Sequence, residues 1–516
     1  MMNAKNIDQS RRRVVLSGMA TGVGLLLTPL AGCGGGGSDA TVGIGGMGIT
    51  NPPLTGLAGL LPTDAAFRAL TLIANSSGVR GNFVATLSAA PANLQLTTSG
   101  PATTVWAFNG ISPGPLIDVM EGDTVSITFN NQLPQTSTIH WHGLPVPADQ
   151  DGNPMSPVPS GNSKTYTFSL PIGSAGTYWY HPHPHETTHE QVFRGLAGCL
   201  IVRPAIDPLA GISERVMMVT DLRIDSNNQI ALNTIQDMTF GREGDHLLIN
   251  GIKMPRIAVQ PGATERWRVL NATNARYLRL ALAGHTLRVV GHDGGLIEQA
   301  QTVSEVLLAP AQRVELLIQA SAVANQDFML VAKSYRRGMT MPFSIETSLL
   351  TLSTTGAVTA PAVSIPAFLR AVPVMAAPVR TQSVVLGDSM GMGMGSGMGS
   401  GMGMPNQFLI NNRTFDPART DLVMPINEIQ DWLISNQGGM DHPFHIHGTQ
   451  FQLVASNRSD TNPVMSYRAW IDTINIRSGE TVQIRIRQSM PGKRMFHCHI
   501  LEHEDQGMMG VLDVQG

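Results

Sequence analysis

Polar and apolar residues alternate one by one along Thr124-Val125-Ser126-Ile127-Thr128-Phe129, directly after the turn residues Glu121-Gly122-Asp123. Side chains of an extended chain point to opposite faces in turn, so this pattern predicts a half-buried β-strand leaving a tight turn. The same pattern recurs at Pro261-Gly262-Ala263-Thr264-Glu265-Arg266-Trp267-Arg268-Val269 and at Ser478-Gly479-Glu480-Thr481-Val482-Gln483-Ile484-Arg485-Ile486. Three copies predict an all-β chain of three similar β-sandwiches, expected at residues 65–205, 206–352 and 407–516. Residues 353–406 hold an Ala/Pro-rich connector that runs into Met390-Gly391-Met392-Gly393-Met394-Gly395-Ser396-Gly397-Met398-Gly399-Ser400-Gly401-Met402-Gly403-Met404, a stretch with neither helical nor strand period.

The first 33 residues read differently. Ser10-Arg11-Arg12-Arg13 precedes a weakly apolar run from Val14 to Leu30, the pattern of an export signal. A twin-arginine signal carries folded, metal-loaded proteins, and a plain secretory signal is the alternative. Leu30-Ala31-Gly32-Cys33 reads either as a lipoprotein cleavage box, with Cys33 as lipid anchor, or as an ordinary small-residue cleavage site. A Gly/Pro-rich linker is expected over 34–64. The expected location is the periplasm or cell envelope.

Composition supports the strand reading: 54 glycines and 33 prolines among 516 residues favour turns over helices. A net charge of -3 with 14% charged residues argues against nucleic-acid binding. The three cysteines, Cys33, Cys199 and Cys498, leave little scope for disulfides, and Cys199 in the apolar run Leu196 to Val202 is expected to be a buried lone thiol.

Candidate chemistry is concentrated near the C-terminus, in Phe496-His497-Cys498-His499-Ile500-Leu501-Glu502-His503-Glu504-Asp505-Gln506-Gly507-Met508-Met509. A thiolate, imidazoles and a thioether on a neighbouring turn make a soft site of the blue-copper kind. Zinc is the competing metal, but structural zinc sites recruit paired cysteines and this cluster has one. On a strand, Cys498 would face one way and His497 and His499 the other, so one thiolate would join two metal sites. Three more clusters, His140-Trp141-His142, His181-Pro182-His183 and His442-Pro443-Phe444-His445-Ile446-His447, bring the total to ten histidines. Ten imidazoles, one thiolate and one thioether suit four copper ions. His185 and His189 are expected to be solvent-facing loop residues, and the scattered His246, His285 and His292 to be structural.

These four motifs, in this order from about residue 66 onward, resemble those of the multicopper oxidases. The resemblance implies three cupredoxin-like Greek-key sandwiches and four coppers. It places a type 1 copper on His442, Cys498 and His503, with Met508 axial and a moderate potential. A type 2 copper would take His140 and His445. A type 3 pair would take His142, His181 and His499 on one ion and His183, His447 and His497 on the other. Asp151 and Glu504 stand where related enzymes relay protons, and dioxygen is the implied acceptor.

The tail and the methionine stretch are most similar to bacterial copper-efflux, or cuprous, oxidases, which implies Cu(I) as reductant. Met440 and Asp388 or Asp441 are then candidate fixed ligands at its dock. The family's insert is usually helical and often histidine-bearing; here it is short, glycine-interleaved and without histidine. Rival readings are a laccase-like oxidase of small phenols and a periplasmic copper-sequestering protein. A monomer is expected.

Overall fold

The computed structural model describes residues 65–338, 341–357, 359–361, 363–389, 407–458 and 467–516. The expected export signal, Cys33, the expected 34–64 linker and the methionine stretch lie outside these residues.

Six sheets form three two-sheet sandwiches of the cupredoxin kind. In the first, Thr103–Phe108, Asn82–Leu94, Thr124–Asn131 and Ser163–Ser169 make one sheet. Its partner sheet runs Gly114–Met120, Gly198–Arg203, Gly176–His181, His140–His142. The last sandwich places Leu422–Pro425, Met509–Gln515, Gly492–Cys498, His442–Ile446 and Thr473–Ile476 side by side. Both histidine-bearing sheets therefore end on short strands carrying the ligand-type residues or their immediate neighbours.

The alternation becomes burial. Strand Thr124–Asn131 strictly alternates buried and half-buried positions, whereas Thr264–Asn271 is buried at every position after its first. The middle sandwich is covered on both faces, so its arginines Arg266 and Arg268 are buried in ion pairs rather than solvated.

The third sequence repeat is out of register. Thr124–Asn131 and Thr264–Asn271 each pair in parallel with the opening strand of their sandwich. In the last sandwich that position belongs to Ile429–Asn436, parallel to Arg380–Ser389, and Thr481–Arg487 is the antiparallel neighbour beyond it. The equivalent turn carries Asn427 at φ 63° where the other copies have Gly122 and Gly262. Asparagine tolerates this left-handed conformation, so the turn survived without the glycine that marks it in sequence.

The chain's first described segment ties two sandwiches together: Ala66 bridges Arg256 and Leu72 bridges Leu116.

Candidate metal centre

Eight histidines meet where the first and last sandwiches abut. Strand His140–His142 pairs antiparallel with Gly176–His181, setting His140 opposite His181. Strand His442–Ile446 pairs with Gly492–Cys498, setting His445 opposite His497. The two sets interleave: the ring of His142 stacks on that of His445 at 3.7 Å, and His140 on His447 at 3.8 Å. His140, His142, His181, His183, His445, His447, His497 and His499 are all fully buried. Burial and then neighbouring imidazoles push His142 and His445 well below the ordinary histidine range, and His181, His183, His447 and His499 likewise. These imidazoles are neutral, the form that binds metals.

Hydrogen bonds select which nitrogen of six of these rings faces inward. Nδ1 of His140, His181 and His445 donates to the backbone oxygens of Asp151, Pro182 and Asp472 at 3.0, 2.9 and 2.8 Å. Nδ1 of His447 donates to Asp151 Oδ2 at 2.8 Å, and Nδ1 of His497 to the Cys498 oxygen at 3.0 Å. His142 is reversed, with Nε2 donating to Asp472 Oδ1 at 3.0 Å. The free inward nitrogens are Nε2 of His140, His181 and His445 and Nδ1 of His142, each buried without a partner. Both His499 nitrogens are likewise unpartnered.

Nε2 of His497 lies 3.2 Å from Nε2 of His183 and 3.1 Å from Nε2 of His447. Nδ1 of His447 and Nδ1 of His497 each face an oxygen acceptor, and with the ring proton there their converging Nε2 atoms present lone pairs to each other. They repel unless a cation lies between them, so these residues fit metal ions.

A second group lies on the other face of the same strand. Sγ of Cys498 is 3.4 Å from Nδ1 of His442 and 3.9 Å from Nδ1 of His503. Met508 is buried, and its oxygen accepts from the Cys498 N–H at 3.0 Å while its own N–H donates to the His503 oxygen at 2.9 Å. Burial pushes the Cys498 thiol far up, so a thiolate here requires a bound cation. Cys498 is thereby covalently continuous with His497 and His499 in the first group.

Both predicted carboxylates reach the eight-histidine group. Asp151 contacts His140 and His447. Glu504 has Oε2 at 3.0 Å from His497 Nδ1 and Oε1 at 3.5 Å from His183 Nδ1. Burial raises the Glu504 carboxyl above the usual range. Of the dock candidates, Asp388 accepts from His442 Nε2 at 3.3 Å. Asp441 is turned away to Tyr335 at 2.6 Å and to Ser478, and Met440 is packed in the core, so neither is free to bind a docked ion.

His189 is not a solvent-facing loop residue. It lies on the helix Thr188–Phe193, and its Nδ1 donates to Asp505 Oδ2 at 2.6 Å. His185 is in the loop and half exposed. His246, His285 and His292 stand outside every metal-competent group found among the described residues. Cys199 is buried and free.

Sequence reasoning missed Asp472. Its side chain holds His142, its backbone oxygen holds His445, and Arg313 clamps its carboxylate. The signal lay in register, since Thr473 pairs with His445, and not in any local motif.

Family models described as multicopper oxidase match residues 92–206, 215–357 and 396–516. The multicopper oxidase mco of Staphylococcus haemolyticus is 31% identical over 79% of this chain and 83% of its own. The cell division protein FtsP of Escherichia coli is 30% identical over 80% of this chain and 86% of its own. Among solved structures, a multicopper oxidase from Campylobacter jejuni, described as a metallo-oxidase, is 39% identical with a TM-score of 0.82, covering 90% of this chain and 98% of that one. A laccase from Pediococcus acidilactici is 28% identical with a TM-score of 0.77, covering 89% and 95%.

Proposed function

This chain belongs to the multicopper oxidase family, oxidoreductases that use dioxygen, and from that premise we propose that its reductant is Cu(I). The observation that carries this reading is the position of the two strands that flank the methionine stretch. The strand that leads into it, Arg380–Ser389, places Asp388 on the outward nitrogen of His442. The strand that leaves it, Gln407–Ile410, pairs Gln407 with Ser389 and stacks Phe408 on the ring of His503 at 3.8 Å. Both strands that flank the stretch therefore touch a histidine beside Cys498. Thioethers select soft Cu(I), and the Asp388 carboxylate adds charge for a cation. The Campylobacter relative described as a metallo-oxidase supports the same class of reductant.

In this reading His442, Cys498, His503 and Met508 hold a type 1 copper. His140 and His445 hold a type 2 copper. His142, His181 and His499, and His183, His447 and His497, hold the type 3 pair. Bound copper supplies one-electron transfer and dioxygen reduction. The protein's part is orientation: Cys498 joins the two groups through its neighbours, Asp151 and Asp472 fix ring nitrogens inward, and burial excludes water. Glu504, raised by burial and 3.0 Å from His497 Nδ1, holds a proton for release towards oxygen. Four Cu(I) ions and four protons turn one dioxygen into two waters, and each Cu(I) leaves as Cu(II).

The test is oxygen uptake with Cu(I) and with a phenol, on copper-loaded protein with and without residues 390–404. Deletion is expected to lower Cu(I) oxidation at limiting copper and to leave phenol oxidation equal or faster. Unchanged Cu(I) oxidation would favour the laccase-like reading, for which a cavity of about 310 Å³ lined by Tyr335, Phe343 and Asp441 offers room. Absence of oxygen uptake would favour copper sequestration. We also propose export to the periplasm in support of copper tolerance. Arg11, Arg12 and Arg13→Lys should strand the protein in the cytoplasm, and Cys33→Ala should release it from the membrane fraction if Cys33 is lipidated.

A further inference from the structure

Arg494, on the strand Gly492–Cys498, is fully buried, yet its Nε, Nη1 and Nη2 have no hydrogen-bond partner among the described residues. The guanidinium packs against Gly448, where any Cβ would collide with it. Gly448 follows His447, whose Nδ1 donates to Asp151 Oδ2 at 2.8 Å. Gln488 donates through Nε2 to the His447 oxygen at 2.9 Å, while its buried Oε1 is unpartnered. Asp151 Oδ1 is also buried and lies 3.3 Å from His140 Nδ1, but that nitrogen donates to the Asp151 backbone oxygen, so Oδ1 accepts no hydrogen bond. The short helix Ala148–Gln150, with Asp149 within it and Asp151 directly after it, packs on the strand that carries Arg494. Neither carboxylate comes within 4.0 Å of the guanidinium, so no direct ion pair forms.

A buried guanidinium without partners is strongly unfavourable, and so are buried carbonyl and carboxylate oxygens without donors. Here unsatisfied donors and acceptors surround one turn, His447-Gly448, too far apart to meet directly. A small anion would satisfy Arg494 but sit against Asp149 and Asp151. Water both donates and accepts and brings no charge.

We propose that Arg494, Gln488 and Asp151 enclose a bound-water site, and that this water ties the Arg494 charge to Asp151, making Arg494 a positioning residue for His447 and His140. The positioning role rests on the reading of those histidines as copper ligands; the water site does not. Asp151 fixes both rings, so an Asp151 that shifts lets two inward nitrogens shift with it.

A high-resolution crystal structure of the wild-type protein is expected to show ordered water within hydrogen-bond reach of both Arg494 and Asp151. Direct contact between the guanidinium and a protein carboxylate, or a dry gap between them, overturns the site whatever the metal content. In copper-loaded protein, Arg494→Met is expected to lower turnover about tenfold and alter the type 2 electron paramagnetic resonance signal. The reductant KM and the blue absorption should stay as they are. Arg494→Lys, which keeps the charge and donors, should recover most of the loss. A loaded Met variant equal to wild type in turnover and signal overturns the positioning role. If the Met variant does not fold, a Lys variant with full loss of turnover and an unchanged type 2 signal does the same.

Discussion

Arg313 of the middle sandwich grips Asp472 of the last at two points, Nη1 to Oδ1 at 2.7 Å and Nη2 to Oδ2 at 2.5 Å, with neither side chain exposed. The same carboxylate accepts from His142 of the first sandwich. The middle sandwich supplies none of the eight clustered histidines, yet it holds the group that orients one of them. Arg313→Met leaves Asp472 buried without its counter-ion, a change that costs about 3–5 kcal/mol. We expect a lower unfolding midpoint and loss of cluster copper, with the blue band retained because Cys498 faces the other way. Metal analysis alongside the visible spectrum checks this; full copper content in the variant would show that Asp472 orients His142 unaided.

Glu504→Gln keeps the shape and the contact to His497 but carries no acidic proton. Reduced protein mixed with dioxygen should reoxidise about 10²–10⁴-fold more slowly, with blue colour and copper content unchanged. Stopped-flow absorbance measures it. Reoxidation at the wild-type rate would leave Glu504 as a brace for the ring and no more.

Cys498→Ser replaces a soft thiolate with a hard hydroxyl. The blue colour and nearly all oxidase activity should disappear, while the eight-histidine group still takes up copper. A blue variant would mean that another thiol holds the type 1 ion.

Glu214 links the first two sandwiches through Arg203 and Arg268, each at 2.6 Å. Burial alone would raise its carboxyl, but Arg268, Arg203 and Arg266 overcome this and hold it at about 2. The unfolded chain binds this proton near pH 4.3, so between about pH 4.3 and 2 it holds more protons than the folded protein. The stabilisation, on the order of 3 kcal/mol, is present at neutral pH and is lost as pH falls through that window. Glu214→Gln should lower the denaturation midpoint at pH 7, and the two proteins should converge near pH 2. A gap that stays constant with pH would assign the loss to packing.

Much of the clustering was legible because the histidines come in local pairs. His140 and His142 are two residues apart on a strand, so spacing alone aims both rings the same way, and His499 follows directly on the strand that ends with His497 and Cys498. The repeat count was legible for the same reason. The third copy's register was not, because a turn built on Asn427 and a strand following Gly479 look alike in sequence, and only strand pairing tells them apart. His189 read as a loop residue because its partner, Asp505, lies 316 positions away.

The sequence by itself determined the donor types, the sandwich architecture and the link through Cys498, since side-chain chemistry and strand alternation are local properties. Only the tertiary structure decided which nitrogen of His142 and of His447 faces inward. That choice depends on acceptors brought from distant segments of the chain, Asp472 for His142 across 330 positions and Asp151 for His447 across 296. It also decided that Asp388, rather than Asp441, meets His442, because Tyr335 of the middle sandwich had already engaged the nearer carboxylate.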